Sequence, residues 1–296
     1  MFSKLFAESG LSLDRLKALL AVAAAGSIVK ASNGDPVKQS QYSRQIKELE
    51  DFFRIKLVER HGKGIRLTLS GKELARISRF FLLGLSNFQR GCLTEEQTFR
   101  IGASATFIRQ FLLPVVSGPK VLDTGYIVET ARDDEIERRL HDLTLDFGVI
   151  TRPDISRPLQ LKELGKWRLK MWVPSSLHKT EKSVIAALKE RRLPLVLAKQ
   201  ELDACGVHFF NGHEPRLICD NFLEAVAAME RRGMASILPD FLPPAKSNAF
   251  LQVRVPALES RVFHFRLAWN PRLLRLNPHA IRRRDYLAES LGTTNP

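Results

Sequence analysis

The sequence predicts an α/β protein in three parts: a small basic helical module closed by a hairpin, one long amphipathic helix, and a larger domain of alternating strands and helices. Three observations predict it. Capped helices with apolar residues every three or four positions fill the first part. A single apolar stripe runs from Leu74 to Phe88. Beyond it, apolar strand-like runs end in small polar residues, and helical patterns follow the first two. At roughly 100 to 200 residues per domain, 296 residues make two domains, or three if one is split.

Ser12 is a suitable N-cap, Leu13, Leu16, Leu19, Leu20 and Ala23 follow at helical spacing, and Gly26 supplies the residue that commonly lies just past a helix end. Ser27 caps a second, short helix, which Asn33-Gly34-Asp35-Pro36 must stop. Asp35-Pro36 is itself a start signal, because the Asp carboxylate accepts from exposed amides and Pro in the first turn loses no hydrogen bond. The third helix should run to about Phe53. Tyr42, Ile46, Leu49 and Phe53 mark its buried face. Gln39, Ser40, Ser43, Arg44 and Lys47 fall largely on the other faces, a polar and cationic set able to meet base edges and phosphates in a major groove.

Leu57-Val58 and Ile65 to Leu67 read as short strands around Gly62-Lys63-Gly64. Arg60, His61, Lys63 and Arg66 cluster at or near the tip, where cations can grip phosphates or enter a minor groove. Three helices and a basic hairpin make a winged helix-turn-helix over residues 1–67.

Thr68 then caps a helix to about Gln89, with Leu74, Ile77, Phe81, Leu85 and Phe88 along one stripe. That stripe calls for a partner, either a second copy of the helix or the chain's own domain. Residues 68–92 are the linker helix, and a polar hinge follows.

In the larger domain, FRIGASATF, YIVETARDD and LDFGVITRP read as strands running into turns, with FIRQFLLPVV and EIERRLHDL as helices after the first two. Such alternation predicts a parallel sheet, whose ligands gather at the carboxyl ends of its strands. Ser104, Thr106, Thr130 and Thr151 stand there, as ligand contacts or as plain helix caps.

Charge agrees with a nucleic-acid partner. Lys and Arg total 46 against 32 Asp and Glu, a net +14. Residues 1–92 hold 16 against 8, whereas the remaining 204 hold 30 against 24, so the first third is the more basic. Cys92, Cys205 and Cys219 are too few, and odd in number, for a secreted disulfide scaffold, which points to a reducing, cytoplasmic setting. No apolar run reaches a membrane span; the nearest, Leu11 to Ile28, contains Asp14, Arg15 and Lys17 and lacks the flanks of a signal peptide.

The stretches AVAAAGSIVKAS and SRQIKELEDFFRIKLVERHGKGIRLTLSGKEL resemble the LysR-type transcriptional regulators, in the register of that family's winged helix-turn-helix and linker helix. The resemblance implies binding to double-stranded promoter DNA, a homodimer through the linker helix, and dimers of dimers making a homotetramer. Against the family's usual Ser-Gln-Pro-Ala-Val-Ser helix start, this chain has NGDPVKQSQYSRQI: Ser43, Arg44, Gln45 and Ile46 match, while Lys38, Ser40, Gln41 and Tyr42 differ. RIGAS, Leu113-Pro114, LTLDFGVITRP, RPL at 157–159 and GMASILPDFL similarly resemble the family's effector-binding domain, a two-lobed fold like periplasmic binding proteins. By that resemblance the effector-binding domain covers 99–296, with residues 99–172 and 259–296 in one lobe and 173–258 in the other. A small-molecule effector between them would touch Ser104, Thr106 and Thr151, with Asn221 and Met234 nearby from the far lobe. Its closure of the lobes would alter dimer-dimer geometry and hence the DNA. The basic surplus of the chain leans toward an anionic effector.

Other constellations carry less. Cys205, His208, His213 and Cys219 are zinc-type ligands at an unusual spacing, but Cys219 lies in the strand-like RLICDN and reads as a buried small hydrophobe. The same two cysteines, compared with the family's peroxide-sensing branch, lack any sign of a lowered thiol pKa. Arg282-Arg283-Arg284 reads as a solvated face of the last helix. The chain contains no G-x-x-x-x-G-K-[ST], G-x-S-x-G or H-E-x-x-H, so no catalytic residue, metal or cofactor is predicted. The alternative is a small-molecule-binding or enzymatic protein whose basic first module serves assembly or non-specific DNA binding only.

Overall fold

The computed structural model describes residues 10–61, 64–93, 97–118, 124–204 and 214–293. The chain divides into two compact units, residues 1–94 and 95–296.

The first unit contains α1 (Leu13–Ala25), α2 (Ile28–Ala31), α3 (Pro36–Phe53), a hairpin of β1 (Val58–His61) and β2 (Gly64–Leu67), and α4 (Leu69–Leu93). Its boundaries follow the caps. The Ser12 side chain accepts from the Arg15 amide, and Gly26 closes α1 in the left-handed region at φ 71°. Ser27 accepts from Lys30 N–H, and the Asp35 carboxylate accepts from Val37 and Lys38 N–H. The Thr68 hydroxyl accepts from Gly71 N–H at 3.0 Å and donates to the Lys56 carbonyl at 2.7 Å, which anchors α4 to the start of the wing. Leu16, Leu19, Leu49, Leu57 and Ala75 form the core, with Phe53, Leu67 and Leu74 packed around it.

Two features of this unit were absent from the sequence pattern. Glu50 is buried on α3, where it accepts from Leu57 N–H at 2.8 Å, Val58 N–H at 3.2 Å and the Lys56 ammonium at 3.0 Å. Burial alone would raise its pKa, but these hydrogen bonds outweigh it and hold the carboxyl below its ordinary value. Gly71 is a close approach: a Cβ there would lie 2.0 Å from the Leu57 carbonyl oxygen.

The second unit is built on two five-stranded mixed sheets. Its elements in order are β3 (Gln97–Ala103), α5 (Ala105–Phe107) running through a π-helical turn (Ile108–Leu112) into α6 (Leu113–Val116), β4 (Thr124–Thr130), α7 (Asp133–His141), β5 (Phe147–Ile150), β6 (Gln160–Trp167) and β7 (Leu169–Pro174). Then come α8 (Glu181–Lys189), β8 (Leu195–Ala198), α9 (Lys199–Ala204), β9 (Leu217–Cys219), α10 (Phe222–Arg232), β10 (Ala235–Pro239), β11 (Phe250–Val253), α11 (Pro256–Glu259), β12 (Phe263–Trp269), α12 (Pro271–Leu276) and α13 (Pro278–Thr293).

The first sheet has the order β4-β3-β5-β12-β6 and the second β11-β7-β10-β8-β9. The parallel pairing expected from alternation holds for β3 with β4 and β5, and for β8 with β9 and β10. The other pairs are antiparallel, because β12 returns beside β5 and β6 late in the chain, and β7 lies between β10 and β11. The chain first crosses between the sheets at Arg168 rather than near residue 172: β7 pairs with β10 and β11 and so belongs to the second lobe. Under the first sheet, Ile136 and Leu140 of α7 pack with Leu145, Ile150, Leu159 and Ala268. Gly148 allows that contact, since a Cβ there would lie 2.2 Å from Ile136 Cγ2.

The arginines of α13 are not uniformly solvated. Arg282 is exposed, but Arg283 hydrogen-bonds Thr124 and stacks over Tyr126, and Arg284 lies over Trp269. Their flat guanidinium groups cover aromatic surface that the sequence pattern did not show.

Candidate functional site

In the first unit, Ser40, Ser43, Arg44 and Lys47 are exposed at successive spacings of three, one and three, which places them on one stripe of α3. Gln39 is half-buried at its side. Ile46 and Leu49 on the opposite face are 2% and 0% exposed, so core packing fixes which way the stripe faces. Arg44 is 76% exposed and 3.6 Å from Glu48, an i,i+4 pair of little strength. On the wing, Arg60 is exposed. Arg66 lies opposite Glu59 and pairs with it at 2.6 Å, which neutralises part of its charge. Lys63 lies outside the described residues.

Along α4, Ile77, Phe81, Leu85 and Phe88 are 45% to 74% exposed, whereas Leu74 packs on the unit's own core. Four large apolar side chains thus line one exposed helix face.

In the second unit a cavity of about 720 Å³ lies between the two sheets' lobes. Its first-lobe wall includes Ser104, Thr106, Thr130, Asp133, Thr151 and Arg152; its second-lobe wall includes Gln200, Glu201, Asp203, Asp220, Asn221 and Phe222. Each wall has a structural cause. Ser104 caps α5, accepting from Phe107 N–H at 3.3 Å, and Asn221 caps α10, accepting from Glu224 N–H at 3.0 Å. The Asp133 carboxylate accepts from Thr151 N–H and Oγ1–H, both at 2.9 Å, and from Arg152 N–H at 3.1 Å, tying the start of α7 to the end of β5. Arg266 donates to the carbonyls of Thr151 and Arg152 at 2.9 and 3.1 Å, which fixes the same turn from below. Aromatic rings form the floor: Trp167 stacks on Phe265 with centroids 5.4 Å apart, and Phe241 of the far lobe lies 5.7 Å from Trp167 and 5.6 Å from Phe265. The Trp167 indole N–H is buried and finds no hydrogen-bond partner among the described residues.

The family model described as the bacterial regulatory helix-turn-helix protein, lysR family, matches residues 13–72, and the LysR substrate binding domain matches residues 94–291. The chain belongs to the LysR family. Among curated relatives, the uncharacterized HTH-type transcriptional regulator YvbU of Bacillus subtilis is 22% identical over 239 residues, covering 78% of this chain and 74% of its own length. Among solved structures, ArgP from Mycobacterium tuberculosis aligns with a TM-score of 0.67 at 20% identity, over 95% of this chain and 97% of that one. LysG from Corynebacterium glutamicum, a full-length structure with bound effector Arg, aligns with a TM-score of 0.61 at 19% identity, over 94% and 99%. This LysR-type chain therefore has a DNA-binding domain and an effector-binding domain and is a transcriptional regulator.

Within that frame, Ser104, Thr106, Thr130, Thr151 and Asn221 all line the cavity. Met234 does not: it is 8% exposed between α10 and β10, where it serves packing. Several lining residues carried no sequence signal, because sheet crossing alone brings Trp167, Phe222, Phe241 and Phe265 together. The regulator's basic surplus does not extend to this cavity. Asp133, Asp134, Glu135, Glu201, Asp203 and Asp220 face only Arg132 and Arg152 among the charged lining residues.

Cys205, His208 and His213 lie outside the described residues. Cys219 is half-buried at a lobe edge rather than fully buried, because Leu217 and Ile218 beside it are exposed. Burial pushes its thiol pKa up, and Glu224 and Asp220 add to the shift. Among the described residues no helix is long and apolar enough to cross a membrane.

Proposed function

We propose that this LysR regulator reads its target DNA through Ser40, Ser43, Arg44 and Lys47 of α3, with Gln39 at the edge of the contact. Arg60, Lys63 and Arg66 of the wing hold backbone, and a ligand in the lobe cleft modulates the complex. The observation that carries the first part is the single exposed stripe on a helix whose opposite face is locked into the core. Serines and a lysine suit phosphates, and an arginine can meet guanine bidentately. For the second part, support comes from the cavity lined by both lobes and from LysG, whose structure holds an effector, Arg.

The assembly we propose is a homodimer through α4, in which Ile77, Phe81, Leu85 and Phe88 meet the same residues of a second copy, with two dimers forming a tetramer. A dimer of this kind spaces two recognition helices by about one DNA turn or a multiple of it. The regulator acts in the cytoplasm and its role is binding rather than catalysis.

The decisive experiment is selection of genomic DNA fragments by the purified protein, followed by competition at fixed salt against scrambled sites. A partly palindromic site should emerge, and Arg44→Ala should weaken it by about 1 to 3 kcal/mol if Arg44 reads a base. Salt-sensitive binding with no enriched site would overturn the reading of α3.

A further inference from the structure

One side chain in the cleft behaves as a ligand. Glu201 projects from α9 of the second lobe, yet its carboxylate accepts from the Thr106 hydroxyl of the first lobe at 2.8 Å. The same oxygen accepts from the Phe222 N–H at 2.6 Å, an amide of the first turn of α10 in its own lobe. Burial holds the carboxyl's pKa above its ordinary value, an effect these two bonds and the nearby Ser104 hydroxyl and Thr106 amide of the first lobe partly offset. Hydroxyls at the start of one helix and the first-turn amide of another are what a small organic acid seeks in a protein cleft.

We propose that Glu201 is a built-in ligand: its carboxylate fills the cleft's carboxylate-binding donors, ties the two lobes together, and bars external carboxylate ligands from those donors. Several observations support this. No Lys or Arg among the described residues forms an ion pair with Glu201, whose hydrogen bonds come from the uncharged Thr106 hydroxyl and Phe222 amide, while the neighbouring Arg152 and Lys199 pair with Glu137 and Asp203. Tethered to α9, the carboxylate is present at an effective concentration of about millimolar or above, so dilute external acids compete poorly. The rest of the lining repels them too, since Asp133, Asp134, Asp203 and Asp220 outnumber Arg132 and Arg152. Selection against anions is thus set by a residue of the chain, opposite to what its overall basic charge suggests. The inference rests on reading the cleft as the regulator's ligand site and narrows what that site accepts.

Chemical rescue tests it. The full-length protein, Glu201→Ala and Glu201→Gln are unfolded thermally in sodium chloride and in sodium acetate at equal ionic strength and pH. Glu201→Ala should melt about 2 to 6 °C below the parent in chloride, and about 50 to 100 mM acetate should recover at least half of that loss. Acetate should move the parent and Glu201→Gln, whose donors stay occupied, by less than about 1 °C. Equal acetate effects on parent and Glu201→Ala, or none on Glu201→Ala, would overturn the proposal. Should Glu201→Ala not fold, calorimetric titration of the parent with benzoate decides: the expected result is no binding up to about 10 mM, and binding that Thr106→Val abolishes would overturn it. Neither measurement involves DNA, so failure here leaves the DNA selection standing, and failure there leaves this one standing.

Discussion

Glu50 shows how one residue connects α3 to the wing. Its carboxylate satisfies the amides of Leu57, just before β1, and Val58, the first residue of β1, and recruits Lys56. Glu50→Ala leaves two amides without their acceptor, and we expect a loss of about 2 to 4 kcal/mol in denaturant unfolding of the full chain. The pH dependence follows from the direction of the shift. Because the folded pKa lies below the ordinary value, the stabilisation is complete above the unfolded value and lost as pH falls through the folded one. The parent should therefore lose stability below roughly pH 4 more steeply than Glu50→Gln. Equal acid limbs for both proteins would remove Glu50 as the cause. At Gly71 the constraint is steric: Gly71→Ala sets a methyl group against the Leu57 carbonyl, with an expected cost of about 1 to 3 kcal/mol or more, read by the same unfolding curves.

At the scale of elements, α3 and α4 each show one exposed face to which the proposed function gives a role. The start of α3 depends on Asp35, so Asp35→Ala should cost about 1 kcal/mol and weaken DNA binding at every sequence alike, since it loosens the helix rather than a base contact. Lys47→Ala should lower the slope of log affinity against log salt by about 1 unit, the mark of a phosphate contact. A change in sequence preference instead would move Lys47 from backbone to base. For α4, Phe81→Glu places a charge in the middle of the exposed apolar stripe. Sedimentation should show the dimer weakened by at least about tenfold, while the fold of each unit survives because Phe81 lies outside the core of its own unit.

Across the whole molecule, local signals and long-range ones separate cleanly. Caps placed the starts of the first-unit helices within a residue or so, because Ser12, Ser27, Asp35-Pro36 and Thr68 bind amides two or three residues away and nothing distant alters that, whereas the end of α4, expected near Gln89, falls at Leu93. The exposed stripe on α3 and the apolar stripe on α4 were equally legible, being periodicities of single helices. The ordered motifs of the DNA-binding module and the strand-helix alternation beyond it sufficed for the family and the two-domain plan. The sequence by itself determined these because they depend on neighbours along the chain. Only the tertiary structure decided where the strands pair, that β12 makes the first sheet mixed, and that Met234 packs behind the cleft instead of lining it. It alone decided the acidic lining and the Glu201 contact, whose partner Thr106 lies 95 residues away in the sequence. Such contacts depend on the geometry of chain crossings between lobes, and no local preference of Glu201 or its neighbours specifies what stands opposite.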